Sequence, residues 1–171
     1  MSEDLKFTIG AVREKVYDEV IPQIESLISG ETDVIANLAN VAAVLKQAFG
    51  FFWVGFYIAK GGELVLGPFQ GPLACTRIAF DKGVCGHAYT TRESVIVPDV
   101  NAFPGHIACS SAARSEIVLP IFNADGSVFG VLDVDSDRLN DFDEADTKGL
   151  SSVTKHLERA IRSHTHSGAH G

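Results

Sequence analysis

Asp133 and Asp135 stand two apart within the apolar run 127–135. In a β-strand both side chains leave from one face, and Leu132 and Val134 take the other. Glu116 opens a second apolar run, 116–122, and Asn123-Ala124-Asp125-Gly126 lies between the two. An Asp-Gly pair between alternating apolar runs predicts a hairpin. A two-residue loop sets Glu116 opposite Asp135, and a four-residue loop sets it opposite Asp133. Either register gathers three carboxylates on one face; an odd loop or a bulge would break that inference. Like charges facing each other destabilise a sheet. Open to water, the cluster is a solvated surface. Inside a pocket it calls for a cationic ligand, or for a proton retained on one carboxyl.

The chain has three cysteines, Cys75, Cys85 and Cys109, spaced by 10 and 24 residues. No Cys-x-x-Cys pair is present, so a structural zinc site is not expected. An odd number of cysteines cannot all pair within one chain. Two of them are candidates for a reactive thiol. Cys85 follows Gly83-Val84 at the start of a predicted helix, where the helix dipole favours a thiolate. Cys109 lies in a long segment without periodicity, where access is easier. Residue pattern does not choose between them. His87 and His106 lie near a cysteine in sequence, and a Cys–His pair is conceivable, but neither cysteine has a protease-like context.

The elements that must position these groups follow from periodicity. Ile9, Val12, Val16, Val20, Ile24 and Leu27 form a helical stripe in which Pro22 should introduce a kink or a new start. Val34, Leu38, Val41, Leu45 and Ala48 mark a second helix, with Thr32 as candidate N-cap and Gly50 as its stop. Strands are expected over 51–59, 63–69, 77–80, 94–97, 116–122 and 127–135, with Gly61-Gly62 turning the first pair and a short helix over 84–92. Residues 98–113 read as a functional loop. Phe142, Ala145, Val153, Leu157 and Ile161 mark a last helix, capped by Asp141, and a polar tail with three histidines follows. Helices, antiparallel strands and a final helix make an α+β domain. In the first strand Trp53, Gly55 and Tyr57 share one face, which resembles a pocket wall, while Phe52, Val54, Phe56 and Ile58 face a core.

At 171 residues the chain is long enough for one domain with a sizeable core. Its net charge of −8 argues against nucleic acid and anionic membrane surfaces as partners. It contains no apolar run long enough to span a membrane. The first residues carry no basic stretch followed by an apolar one, so a cytoplasmic protein is expected.

Six segments together resemble the free methionine-(R)-sulfoxide reductases, a family built on the GAF domain. They are Trp53-Val54-Gly55-Phe56-Tyr57, Gly83-Val84-Cys85-Gly86, Val97-Pro98-Asp99-Val100, Pro104-Gly105-His106-Ile107-Ala108-Cys109, Ser115-Glu116-Ile117-Val118-Leu119-Pro120 and Gly130-Val131-Leu132-Asp133-Val134-Asp135-Ser136. The likeness runs from about residue 20 to 160. It implies a GAF-like domain over residues 1–163, followed by a flexible tail over 164–171. That domain would hold a central antiparallel six-stranded sheet with N-terminal helices and a C-terminal helix on one side. It also implies an enzyme that reduces free methionine-R-sulfoxide, is regenerated by thioredoxin, needs no metal or organic cofactor and forms a homodimer. By position Cys109 corresponds to the attacking cysteine, Cys75 to its main disulfide partner and Cys85 to an auxiliary third cysteine. Trp53, Tyr57, Glu116, Asp133 and Asp135 correspond to the substrate pocket. The rival readings are a GAF module that binds a ligand or senses redox state without turnover, and a scaffold with incidental cysteines.

Overall fold

The structure, a computed structural model, describes residues 4–107, 109 and 111–167. Eight residues or more of regular structure recur along most of the chain. Helices α1 (Arg13–Ser29) and α2 (Val34–Phe49) come first. Strands β1 (Trp53–Lys60), β2 (Glu63–Gln70) and β3 (Arg77–Ala79) follow, then helix α3 (Gly83–Thr91) and strand β4 (Val95–Val97). A 3-10 turn at Val100–Ala102 interrupts the long connection to β5 (Ser115–Phe122) and β6 (Val128–Ser136), and α4 (Glu144–Ser167) is the last element among the described residues. The strands form one antiparallel sheet in the order β3-β2-β1-β6-β5-β4.

The sheet is buried on both faces, and strand parity decides what each face holds. Val54, Phe56, Ile58, Ile117, Leu119, Ile121, Leu132 and Val134 point to one side and meet α1, α2 and α4 in the larger core. Trp53, Tyr57, Val118 and Val131 point to the other side and meet Val84, Cys85 and Ala88 of α3. Phe52, expected in the larger core, precedes β1 and packs against the α3 side instead.

The helices depart from the expected bounds for local reasons. Ile9 and Val12 precede α1 and are exposed, and Ile28 rather than Leu27 completes the buried stripe. Pro22 does not divide the helix. It sits on the exposed side, and so does Asp18, whose carbonyl loses its partner and can turn to water. Asp33, not Thr32, caps α2 by accepting from the Ala36 N–H at 2.8 Å. Gly50 ends α2 at a left-handed φ of 64°, as expected of a C-terminal glycine.

At the start of α4 the cap is Asp143, whose carboxylate accepts from the Ala145 N–H at 2.9 Å. Asp146 returns the bond by accepting from the Asp143 N–H at 3.1 Å, which makes a capping box. Asp141, the expected cap, instead pairs with Arg13 at 3.1 Å. The helix reaches Ser167, four residues into the stretch read as tail, and residues 168–171 lie outside the described residues.

The β5–β6 register carries the acids. Glu116 faces Asp135 and Val118 faces Asp133. This is the pairing of a two-residue loop, reached by another route. Residues 123–127 separate the paired Phe122 and Val128, and the shift between Ile121 and Phe122 leaves Phe129 as an extra residue in β6. The odd loop reverses the parity and the bulge restores it. On the other edge of β6, Trp53 faces Asp135 and Gly55 faces Asp133.

Candidate active site

Parity therefore brings Glu116, Asp133 and Asp135 to the same face as Trp53 and Tyr57, beneath α3 and the 98–113 connection. A cavity of about 50 Å³ lies there, lined by Trp53, Tyr57, Cys85, Cys109 and all three acids. Cys75 does not line it but reaches it covalently, through a disulfide to Cys109 with a Cα–Cα separation of 5.3 Å. Both bonded cysteines are half-buried, whereas Cys85 is 4% exposed and is the free thiol of the three. Ile78, Ile107 and Leu73 complete the wall, with His106 beside them. Leu73 was not singled out, because loop 71–76 carries no repeat; Ile78 lies in the expected third strand, and Ile107 in one of the six segments that carry the resemblance.

The aromatic pair holds the cysteine loop. The Trp53 indole N–H donates to the Pro72 carbonyl at 3.1 Å, and the Tyr57 hydroxyl donates to the Cys75 carbonyl at 2.8 Å. The Trp53 ring stacks on Phe69 with centroids 5.3 Å apart. It lies across Gly55, where an added Cβ would come within 2.8 Å of the indole and 2.3 Å of the Phe69 Cβ. Gly55 is thus the one residue type that lets the indole cover the sheet between the two acids.

Glu116 and Asp133 are buried at 6% and 5% exposure, and Asp135 is partly exposed. Burial, with the charges of Asp133 and Asp135 behind it, holds the Glu116 carboxyl well above the usual carboxylate range. Burial raises Asp135 well above that range too, with the Asp133 charge adding to it. Burial raises Asp133 as well, but hydrogen bonds from Glu116 and Cys85 and the charge of His106 oppose it. Hydrogen bonding among the three acids pushes Glu116 towards its protonated form and favours the charged forms of Asp133 and Asp135. Asp133 Oδ1 is buried with no hydrogen-bond partner among the described residues.

Burial first, and then the three carboxylates, push the Cys85 thiol up, overriding the helix N-terminus at which it sits. His87 is exposed and packs edge-on against Phe103, so it makes no pair with Cys85. The Cys85 sulfur and the carboxylate oxygens of Glu116 and Asp133 lie within 4.8 Å of one another, the one such group among the described residues. A metal ion using these donors would have to compete with the raised proton affinities of Cys85 and Glu116.

A GAF domain model matches residues 29–162. The chain belongs to the GAF domain family. Among GAF relatives, GAF domain-containing protein A of Dictyostelium discoideum is 57% identical over 159 residues, covering 92% of this chain and 99% of that protein. The free methionine-R-sulfoxide reductase of Escherichia coli is 40% identical over 146 residues, covering 85% of this chain and 88% of the enzyme. The crystal structure of free methionine-R-sulfoxide reductase from Neisseria meningitidis in complex with its substrate superposes with a TM-score of 0.92. It is 54% identical and covers 96% of this chain and 98% of the other. The GAF fold, with its six-stranded sheet between helices, is therefore established here. Among the described residues, no helix is long and apolar enough to cross a membrane.

Proposed function

We propose that this GAF domain reduces free L-methionine-(R)-sulfoxide to methionine, with Cys109 as nucleophile and Cys75 as its resolving partner. The observation that carries the reading is a disulfide between these cysteines at the mouth of a buried cavity floored by three carboxylates. The relatives and the substrate complex supply the substrate.

Each group has a task that its surroundings support. The sulfoxide sulfur is electrophilic, but its oxygen leaves only when protonated. Glu116 lines the cavity with its proton affinity raised by burial, and it is the acid that delivers the proton. Asp133 and Asp135, which line the cavity, are left to hold the ammonium of a free amino acid. A residue inside a peptide has no ammonium, which gives the preference for the free amino acid. The Trp53 face packs on the S-methyl group and excludes water.

The Cys109 thiolate takes the oxygen as a sulfenic acid and releases the sulfide. The Cys75 thiol then attacks the Cys109 sulfur, forming the S–S bond and expelling water. In sum, one sulfoxide and two thiols give one sulfide, one disulfide and one water. An external dithiol protein of the thioredoxin class reopens the disulfide by exchange. The working unit is a cytoplasmic homodimer, which light scattering on the purified protein tests.

The deciding experiment is a count of free thiols in the reduced protein before and after one addition of methionine sulfoxide. The expected change is from three thiols to one. An unchanged count sinks the reductase reading and favours a GAF module that binds without turnover.

A further inference from the structure

The Cys75–Cys109 bond offers two sulfurs to an incoming thiolate, and their surroundings differ. Cys109 lines the cavity, whereas Cys75 is half-buried and forms no part of the cavity wall. What Cys75 exposes therefore lies outside the cavity. A partner that attacked Cys109 would have to bring its own chain into the substrate's space and would leave its sulfur on the nucleophile. A partner that attacks Cys75 stays outside and frees Cys109 in the cavity wall as the leaving thiolate.

An apolar side chain marks that outer approach. Leu73 belongs to the cavity wall yet is 90% exposed, so it stands at the mouth. A single exposed leucine is ordinary on a protein surface, but the backbone around this one is clamped. The Trp53 indole N–H holds the Pro72 carbonyl on one side of it, and the Tyr57 hydroxyl holds the Cys75 carbonyl on the other. Pro72 has a fixed φ, and Ala74 and Cys75 pack against the smaller core. The loop thus presents Leu73 outward in a set position. Two residues of chain reach at most about 7 Å, so a protein whose sulfur bonds to Cys75 must cover Leu73 as well.

Resting on the function proposed above, we infer that Pro72-Leu73 is the seat of the thioredoxin-class dithiol protein, which attacks Cys75 and not Cys109. The partner's thiolate bonds to the Cys75 sulfur, the Cys75–Cys109 bond breaks, and its electron pair leaves on Cys109. The partner's second thiol then gives up its proton and attacks the partner's own bonded sulfur. This releases Cys75, which takes that proton. The partner ends as a disulfide and this chain as a dithiol.

The test starts from protein oxidised with diamide, so that substrate binding plays no part. The rate constant for reduction by thioredoxin is divided by that for reduction by dithiothreitol, which is too small to need a docking surface. In Leu73→Ser this ratio should fall about tenfold, the change expected when one apolar side chain is withdrawn from a protein contact. Leu73→Met should restore it. Ile9→Ser, at a side chain 89% exposed on the segment before α1, should leave it in place. The attacked sulfur is read with a thioredoxin whose second active-site cysteine is replaced by serine. After mixing with the oxidised parent and quenching with iodoacetamide, peptide mapping should find it joined to Cys75, with Cys109 alkylated.

Thioredoxin found on Cys109 or on neither cysteine, an unmoved ratio in Leu73→Ser, or an equal fall in Ile9→Ser overturns the inference. Failure of the reduced parent to lose thiols on addition of methionine sulfoxide overturns the function on which it rests.

Discussion

Three carboxylates crowded on one buried face have measurable consequences at single residues. Glu116 has a raised affinity for its proton in the folded chain and an ordinary one, near about 4.3, in the unfolded chain. The stability it contributes is full below that value and is lost as pH rises through the folded one. Glu116→Gln removes this loss. The melting temperature of the variant relative to the parent should therefore climb as pH rises above about 4.3, as differential scanning calorimetry would record. Activity should move the opposite way. Glu116→Gln should lower kcat by about 10²–10⁴-fold, whereas Asp135→Asn should raise KM with kcat nearly kept. Three amide variants that all melt early with activity in proportion would mark the acids as structural.

Tyr57 gives a second residue-scale test. Tyr57→Phe frees the Cys75 carbonyl, at a cost of about 1 kcal/mol. It should slow the second thiol's disappearance in a rapid-quench experiment without slowing the first. The sulfur chemistry separates in the same way: Cys109→Ser should abolish reduction, and Cys75→Ser should leave one turnover but impair recycling.

Among the elements, α1 and α4 are joined by a polar knot as well as by their apolar stripes. Arg13 reaches Asp146 at 3.1 Å, Tyr17 donates to the same carboxylate at 2.7 Å, and Asp146 closes the cap of α4. Asp146 is 1% exposed. Removing it as Asp146→Ala leaves Arg13 and the cap without their acceptor and should cost about 3–5 kcal/mol, measured by urea unfolding. The site lies on the far face of the sheet, so kcat at a temperature where the variant is folded should hardly change.

None of that knot could be read in the sequence, because its partners are more than a hundred positions apart and no period links them. What could be read was whatever a local period or turn signal encodes. The face shared by Trp53, Gly55 and Tyr57, the α2 stripe ending at Gly50 and the three acids on one side all follow from spacing. The caps slipped by one or two residues, because Thr32-Asp33 and Asp141-Phe142-Asp143 each offer two acids or hydroxyls and only packing selects one. The hairpin register was right only because a bulge cancelled an odd loop. The choice between Cys85 and Cys109 as the exposed thiol needed the third dimension: α3 lies down on the sheet and seals one of them in.

For the molecule as a whole, the sheet divides the labour. Its larger core, with three helices, carries most of the buried apolar side chains and gives the fold its rigidity. The smaller core under α3 is the part that chemistry can disturb. The Cys75–Cys109 bond closes a span of 34 residues that includes β3, α3 and β4. In the chain-entropy account such a closure stabilises the folded state by about 3–4 kcal/mol. Thermal melts of oxidised and reduced protein should differ accordingly, and the difference should vanish in Cys75→Ser.

That staple gives the molecule a lifetime that depends on its workload. On the proposed cycle, each substrate consumed leaves the protein in its cross-linked form, and each reductant encounter releases it. When sulfoxide is plentiful and reductant scarce, the population accumulates as the form whose loops resist a protease. When reductant is abundant and substrate absent, the same chain waits with the loops around residues 75 and 109 open to cutting. Limited digestion would then work as a gauge of turnover, and the idle, fully reduced protein would be the first to be cleared.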